Sequence, residues 1–138
     1  MRKIIYLLLA GFIPLLMGGI VNVLVTSSPF PVFIISPICL LIWYFIGYKF
    51  AKDIRSFVIL NIPAIFFFVL ILVQELVMGH YIEGAIGMTS QMFFLPFLSA
   101  GALVAGWTGS MAGAYVGSFL LMLASCYIGT WQRMKKGR

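Results

Sequence analysis

Charged residues are scarce in this chain. Asp, Glu, Lys and Arg together make up only 9% of its 138 residues, whereas hydrophobic residues make up 63%. Soluble domains are about half apolar and a quarter charged, and the mean hydropathy of +1.14 lies far to the apolar side. The composition therefore excludes an ordinary soluble domain and predicts that a lipid bilayer surrounds most of the chain.

Residues that carry chemistry are also few. The chain has three acidic residues, one histidine and two cysteines. It contains no P-loop, no HExxH zinc motif, no CxxC pair and no GxSxG nucleophile motif. Cys39 and Cys126 both lie in apolar runs at different predicted depths, so we do not expect a disulfide. These absences predict no catalytic residues, no metal site and no cofactor, and they favour a function without catalysis.

Long apolar runs fill most of the sequence. A helix needs about 20 apolar residues to cross roughly 30 Å of hydrocarbon. We predict four transmembrane helices, at about 4–25, 30–48, 57–78 and 108–130. The first run is longer than a signal-peptide core and is expected to be retained. The fold class predicted for residues 1–138 is an all-α, polytopic membrane helical bundle with a single transmembrane domain.

The last apolar stretch, 92–128, is longer than one crossing requires. Trp prefers the membrane interface, and the 24 positions between Trp107 and Trp131 correspond to about 36 Å of helix, which matches one crossing. We therefore predict that residues 92–106 form a separate re-entrant or interfacial segment. One long tilted helix over 97–130 is the alternative.

Basic residues occur in three clusters, at 2–3, 49–55 and 133–138. A net charge of +6 could indicate nucleic-acid binding in a soluble protein, but clusters separated by apolar runs indicate membrane topology instead, so no nucleic-acid partner is expected. With four crossings all nine Lys and Arg residues face one side, which the positive-inside rule makes the cytoplasm. We predict a cell-membrane protein with both termini cytoplasmic.

Each of the first three predicted helices contains one interior proline, at Pro14, Pro37 and Pro63. An interior proline leaves a carbonyl without its helical donor and kinks the helix. Such kinks could act as hinges around a cavity, or they could reflect the ordinary abundance of proline in membrane helices. Both interpretations stay open.

Small residues recur at every fourth position of one stretch. They are Gly101, Ala105, Gly109, Gly113 and Gly117. Steps of four lie on one helical face, and small side chains allow another backbone to approach closely in lipid. We expect this helix-packing face to contact another helix of the chain, a second copy in a homo-oligomer, or another membrane subunit. The leading functional interpretation is an accessory or self-associating subunit.

A polar set lies near the predicted outer boundary. Its members are Gln74, Glu75, His80 and Glu83, with Asn22 at a similar depth. Glu75 lies inside the end of the third helix, where its charge needs water or a partner. An outward-facing cavity around Glu75 makes a small transporter or channel-like protein the alternative function. His80 and Glu83 are too few for a typical metal site, so a membrane enzyme at the outer leaflet is the least favoured interpretation.

Overall fold

A computed structural model of the chain describes residues 2–27, 32–79, 85–105 and 111–137, and all regular secondary structure in these ranges is helical. The elements are α1 (Arg2–Gly11), α2 (Ile13–Ser27), α3 (Val32–Phe50), α4 (Ile54–Leu72), a π-helical turn (Val73–Met78), α5 (Ala85–Ala105) and α6 (Met111–Lys136). Three stretches are long and apolar enough to cross a membrane: Arg2–Leu24, Ile54–Met78 and Ala112–Lys136. The all-α prediction is confirmed, and these helices fit a membrane protein.

The first predicted helix, 4–25, is interrupted at Phe12. The backbone tightens there, with hydrogen bonds from the N–H of Phe12 to the carbonyl of Leu9 (3.1 Å) and from the N–H of Leu15 to the carbonyl of Phe12 (3.0 Å). Pro14 accounts for the interruption, because it has no N–H to donate to the carbonyl four residues earlier. The N-terminal apolar run therefore forms two consecutive helices, α1 and α2.

The second and third predicted helices correspond to α3 and to α4 with its π-helical turn. Pro37 and Pro63 lie inside α3 and α4, and kinks at these two prolines stay a prediction. Helix α4 begins at Ile54, three residues earlier than predicted. The side chain of Asp53 accepts a hydrogen bond from the backbone N–H of Ser56 at 2.7 Å and so caps the helix.

The last two helices differ more from the sequence prediction. Helix α5 begins at Ala85, well before the predicted segment 92–106, and includes polar residues such as Ser90. The hydroxyl of Ser90 donates to the carbonyl of Gly87 at 2.8 Å, so this polar side chain is satisfied within the helix. Helix α6 continues past residue 130 because its basic last turn interacts favourably with the helix C-terminus.

Gly101 brings α5 directly against α6. A Cβ atom at Gly101 would collide with the carbonyl oxygen of Ala114 and would lie 2.5 Å from the backbone nitrogen of Ser118. In one straight helix Gly101 and Ala114 would be about 20 Å apart along the axis. This contact excludes the continuous helix over 97–130, so the chain reverses direction between α5 and α6.

Stacked aromatic rings join α4, α5 and α6. Phe67 stacks on Phe93 with ring centroids 4.8 Å apart, and Phe68 stacks on Phe119 at 4.2 Å. Phe94 is fully buried and packs edge-on against Phe119, with centroids 6.4 Å apart. Such aromatic pairs contribute about 0.5 to 1.5 kcal/mol each beyond the area they bury. The core of the bundle therefore lies where these three helices meet.

The three basic clusters lie at one end of the bundle. Lys3 of α1 lines a cavity together with Lys49 and Lys52, which belong to the end of α3 and the turn after it. From the C-terminal cluster, the guanidinium of Arg133 lies 5.6 Å from the ring centroid of Tyr48. We call this the basic end of the bundle. The opposite end, which contains the π-helical turn, is called the far end.

Two adjacent glycines of α2 provide a matched test of helix packing. A Cβ atom at Gly18 would lie 2.7 Å from the backbone carbonyl carbon of Met92 in α5. A Cβ atom at Gly19 would meet only the terminal methyl group of the flexible Met92 side chain, at 3.7 Å. We expect Gly18→Ala to lower the free energy of unfolding in detergent micelles by about 1 to 3 kcal/mol. We expect Gly19→Ala to leave it unchanged or to raise it by up to about 1 kcal/mol. Equal losses in the two variants would contradict the close contact of α2 with α5.

Candidate functional site

A cavity of about 360 Å³ lies between α2, α5 and α6. Its described lining includes three polar side chains, those of Asn22, Gln91 and Tyr115. The apolar lining side chains all come from α5 and are Met88, Met92, Leu95 and Leu98. None of these seven side chains is charged, so the cavity combines apolar surface with hydrogen-bonding groups, as small-molecule sites do. We call it the amide cavity.

Close packing of α2 on α5 positions the lining residues. Gly18 contacts the backbone of Met92, and Asn22 lies one turn further along the same face of α2. On α5, Met88, Met92 and Leu95 follow at steps of four and three, so they share a face. The side chains of α2 and α5 therefore meet across the amide cavity, and α6 contributes the phenol group of Tyr115.

Gln74 lies in the π-helical turn and links it to α5. Its side chain is fully buried, and its amide nitrogen donates to the carbonyl of Leu70 and to the hydroxyl of Ser90, both at 3.1 Å. Because a lipid environment offers no competing water, this pair ties the far end of α4 to the start of α5. The Gln74 side chain therefore has a structural role, because its hydrogen bond to Ser90 joins the π-helical turn to α5.

Glu75 follows Gln74 in the π-helical turn and is half-buried. It is not among the described residues that line the amide cavity, whereas Asn22 is. π-Helical turns are rare and occur frequently at functional sites, so a functional role for Glu75 stays a prediction. His80 and Glu83 lie outside the described residues.

The predicted helix-packing face is divided between two helices. Gly101 and Ala105 belong to α5, Gly113 and Gly117 belong to α6, and Gly109 lies outside the described residues. Gly101 packs against α6 of the same chain, and Gly117 is buried. At Gly101, close approach therefore serves contact within one chain.

Other polar side chains inside the bundle also hold helices together. The hydroxyl of Ser36 donates to the carbonyl of Pro96 at 2.8 Å, which joins α3 to α5. The amide nitrogen of Asn61 lies 3.4 Å from the sulfur of Cys126, which joins α4 to α6. Within the described residues, the Asn61 amide oxygen and the Trp43 indole nitrogen are buried without a hydrogen-bond partner.

The sequence indicates Asn22 as a candidate but not Gln91 or Tyr115. Gln91 carries a signal that could have been used, because it is an uncharged polar residue directly before an apolar run. Tyr115 carries no local signal. It joins the amide cavity only because the chain reverses between α5 and α6.

The described residues contain no group of three or more His, Cys, Asp or Glu side chains that could hold a metal ion. No protein-family profile matches this chain, and no curated protein or solved structure matches it significantly. Fold and site together define a class: an all-helical protein with helices able to span a membrane and an uncharged, partly polar cavity between them.

A double-mutant cycle measures the link between the π-helical turn and α5. We expect Gln74→Met and Ser90→Ala to show a coupling of about 1 kcal/mol in the free energy of unfolding, the typical value for an interhelical hydrogen bond in a membrane. Gln74→Met combined with Ser118→Ala is the control, because Ser118 bonds to Phe97 and Ala114 instead. That pair is expected to be additive within about 0.3 kcal/mol. Additivity of both pairs would contradict the Gln74–Ser90 bond.

Proposed function

We propose that this chain is a small transporter or channel-like membrane protein that binds a neutral amphipathic solute in the amide cavity. The cavity carries the proposal, because it offers amide and phenol groups beside apolar surface. A solute with an uncharged polar group can bind there without leaving a buried charge unpaired. A strongly charged solute would find no counter-charge among the described lining residues.

Four membrane crossings are part of the proposal: α1 with α2, α3, α4 with its π-helical turn, and α6. The contact between Asn61 and Cys126 gives a common level for α4 and α6. Measured from that level at 1.5 Å per residue, Gln74 lies about 20 Å toward the far end and Ala114 about 18 Å. These two residues mark positions near the far end on two of the proposed crossings.

Helix α5 is proposed to be a re-entrant or oblique segment that does not cross. Ser90, near its start, bonds to Gln74, and Gly101, near its end, contacts Ala114. About 16 Å of helix separates Ser90 from Gly101. Gln74, the partner of Ser90, lies about 20 Å from the level of Asn61, and Ala114 and Ser118, which both contact Gly101, lie about 18 Å and about 12 Å from it on the same side. A helix that crossed the bundle lengthwise would have its ends at different levels. These contacts favour an α5 that runs across the far half of the bundle.

The described ring contact of α5 that lies nearest the basic end supports the same placement. Phe93 stacks on Phe67, which lies about 9 Å from the level of Asn61 toward the far end. Irregular or partial spans in transporters occur where they line a cavity, and α5 supplies most of the lining of the amide cavity. We therefore propose that the amide cavity opens toward the far side of the membrane.

The basic end is proposed to face the cytoplasm of a cell membrane. Lys3, Lys49 and Arg133 represent the three basic clusters there, and the positive-inside rule assigns such an end to the cytoplasm. With four crossings, both termini share that side.

Reporter fusions test the number of crossings. Green fluorescent protein fused after Arg138 is expected to fluoresce, and alkaline phosphatase at the same position is expected to be inactive, because the C-terminus is cytoplasmic in the four-crossing arrangement. Fusions after Ala51, at the basic end, serve as the control and should behave identically. Active phosphatase after Arg138 combined with inactive phosphatase after Ala51 would mean that α5 crosses fully.

An accessory or self-associating role is the second candidate, and a homo-oligomer or another membrane subunit stays a predicted partner. The predicted helix-packing face, with a small residue at every fourth position from Gly101 to Gly117, favours this role because small residues allow close contact between helices in lipid. At Gly11, Gly18, Gly47 and Gly101, however, a Cβ atom would collide with a neighbouring helix of the same chain. Because packing within one chain accounts for these close contacts, solute binding is preferred.

Binding of a neutral probe tests the function. The probe is N-phenyl-1-naphthylamine, a neutral amphipathic fluorophore, titrated into the protein in lipid nanodiscs with empty nanodiscs as the baseline. Leu98→Trp fills the amide cavity and is expected to abolish saturable binding. Asn22→Leu combined with Gln91→Leu removes the amide groups and is expected to weaken binding by about 1 kcal/mol, or roughly fivefold.

Leu16→Trp is the matched control for the cavity-filling variant. Leu16 lies on α2 with 70% of its surface exposed, so the same increase in volume occurs away from the cavity. Its probe binding should equal that of the unmodified protein. Equal effects of Leu16→Trp and Leu98→Trp, whether saturable binding is lost or retained in both, would mean that the probe does not occupy the amide cavity.

A further inference from the structure

A second cavity, of about 420 Å³, lies at the basic end between α1 and the turn that joins α3 to α4. We call it the basic pocket. Its lining residues are Lys3, Tyr6, Leu7, Lys49, Phe50, Lys52, Asp53 and Ser56. The three lysines come from two parts of the chain that are far apart in sequence, so the fold brings these residues together around one space.

The charge of the basic pocket is positive. Three lysines and one aspartate line it, which gives a formal charge of 3 − 1 = +2. The carboxylate of Asp53 already accepts a hydrogen bond from the backbone N–H of Ser56, and this bond holds the pKa of Asp53 below its ordinary value. Asp53 is thus engaged with the start of α4, and the lysines are left with an excess of positive charge.

We infer that the basic pocket binds the phosphate of an anionic phospholipid. Each lysine ammonium group can donate hydrogen bonds to phosphate oxygens, and basic pockets between membrane helices are known to hold anionic lipid headgroups. The inference concerns a site separate from the amide cavity and does not depend on the solute proposed there.

The walls of the basic pocket favour a lipid over free phosphate. Leu7 is buried in the lining and Tyr6 is largely exposed beside it, so one side of the pocket is apolar. Tyr48 and Trp131 at the same end contact basic side chains through their rings, as expected of aromatic residues at the membrane interface. A phosphate at this level would remain attached to acyl chains that lie along the apolar surface of α1.

Lipid titration with two charge-matched variants tests this inference. The first variant carries Lys3→Gln, Lys49→Gln and Lys52→Gln, which removes the lysines of the basic pocket. The second carries Arg133→Gln, Lys135→Gln and Lys136→Gln, which removes the same charge from the same end of the bundle. Phosphatidylglycerol and phosphatidylcholine are titrated separately into each detergent-solubilised protein, and the Kd values are compared.

Phosphatidylglycerol should bind the unmodified protein more tightly than phosphatidylcholine. The pocket variant should raise the Kd for phosphatidylglycerol by at least about tenfold and the tail variant by less than about threefold, because only the pocket lysines surround the bound phosphate. Lys49→Arg with Lys52→Arg should retain binding, since the charge is kept. Circular dichroism spectra confirm that each variant is folded before its Kd is used.

Three outcomes would overturn the inference. Equal losses in the pocket and tail variants would mean that the whole basic end attracts anionic lipid. Equal affinity for phosphatidylcholine would mean that the negative headgroup is not recognised. Displacement of phosphatidylglycerol by inorganic phosphate at the same concentration would identify a site for free phosphate, with no contribution from the acyl chains.

Discussion

Direct contact between helix backbones is the constraint on which this bundle depends. Lipid tails are as apolar as leucine side chains, so helices in a membrane associate through close packing and hydrogen bonds, without hydrophobic collapse. Gly18 lies against the backbone of Met92, Gly101 against α6, and Gly47 and Gly129 at the contact of α3 with α6. A methyl group at any of the four would collide with a backbone or hydroxyl atom. These contacts set the distances between helices.

Polar side chains then complete contacts that the glycines make possible. Ser36 reaches the carbonyl of Pro96, and Gln74 reaches Ser90, because α5 lies close to both α3 and the π-helical turn. Each bond satisfies a group for which lipid offers no partner. Helix α5 is therefore held at several points along its length, and a helix fixed in this way can form a stable wall for the amide cavity.

The two ends of the bundle have different chemistry. Toward the far end, the described lining of the amide cavity is uncharged, whereas at the basic end three lysines and one aspartate line the basic pocket. An uncharged cavity suits solutes that partition into lipid, and a cationic pocket suits the anionic groups of the interface. The proposed lipid site would anchor α1 against the turn after α3, and α1 leads directly into α2, which lines the amide cavity.

The sequence by itself determined the all-helical class and the approximate positions of four of the helical runs, because the length of an apolar run is a local property. The membrane side on which the basic clusters fall stays a prediction. Only the tertiary structure decided that Gln91 and Tyr115 line one cavity with Asn22, and that Lys3 lines one pocket with Lys49 and Lys52. Helical periodicity shows which residues share a face but not which helix that face contacts. The partners depend on where the chain reverses and how closely its glycines let the backbones approach.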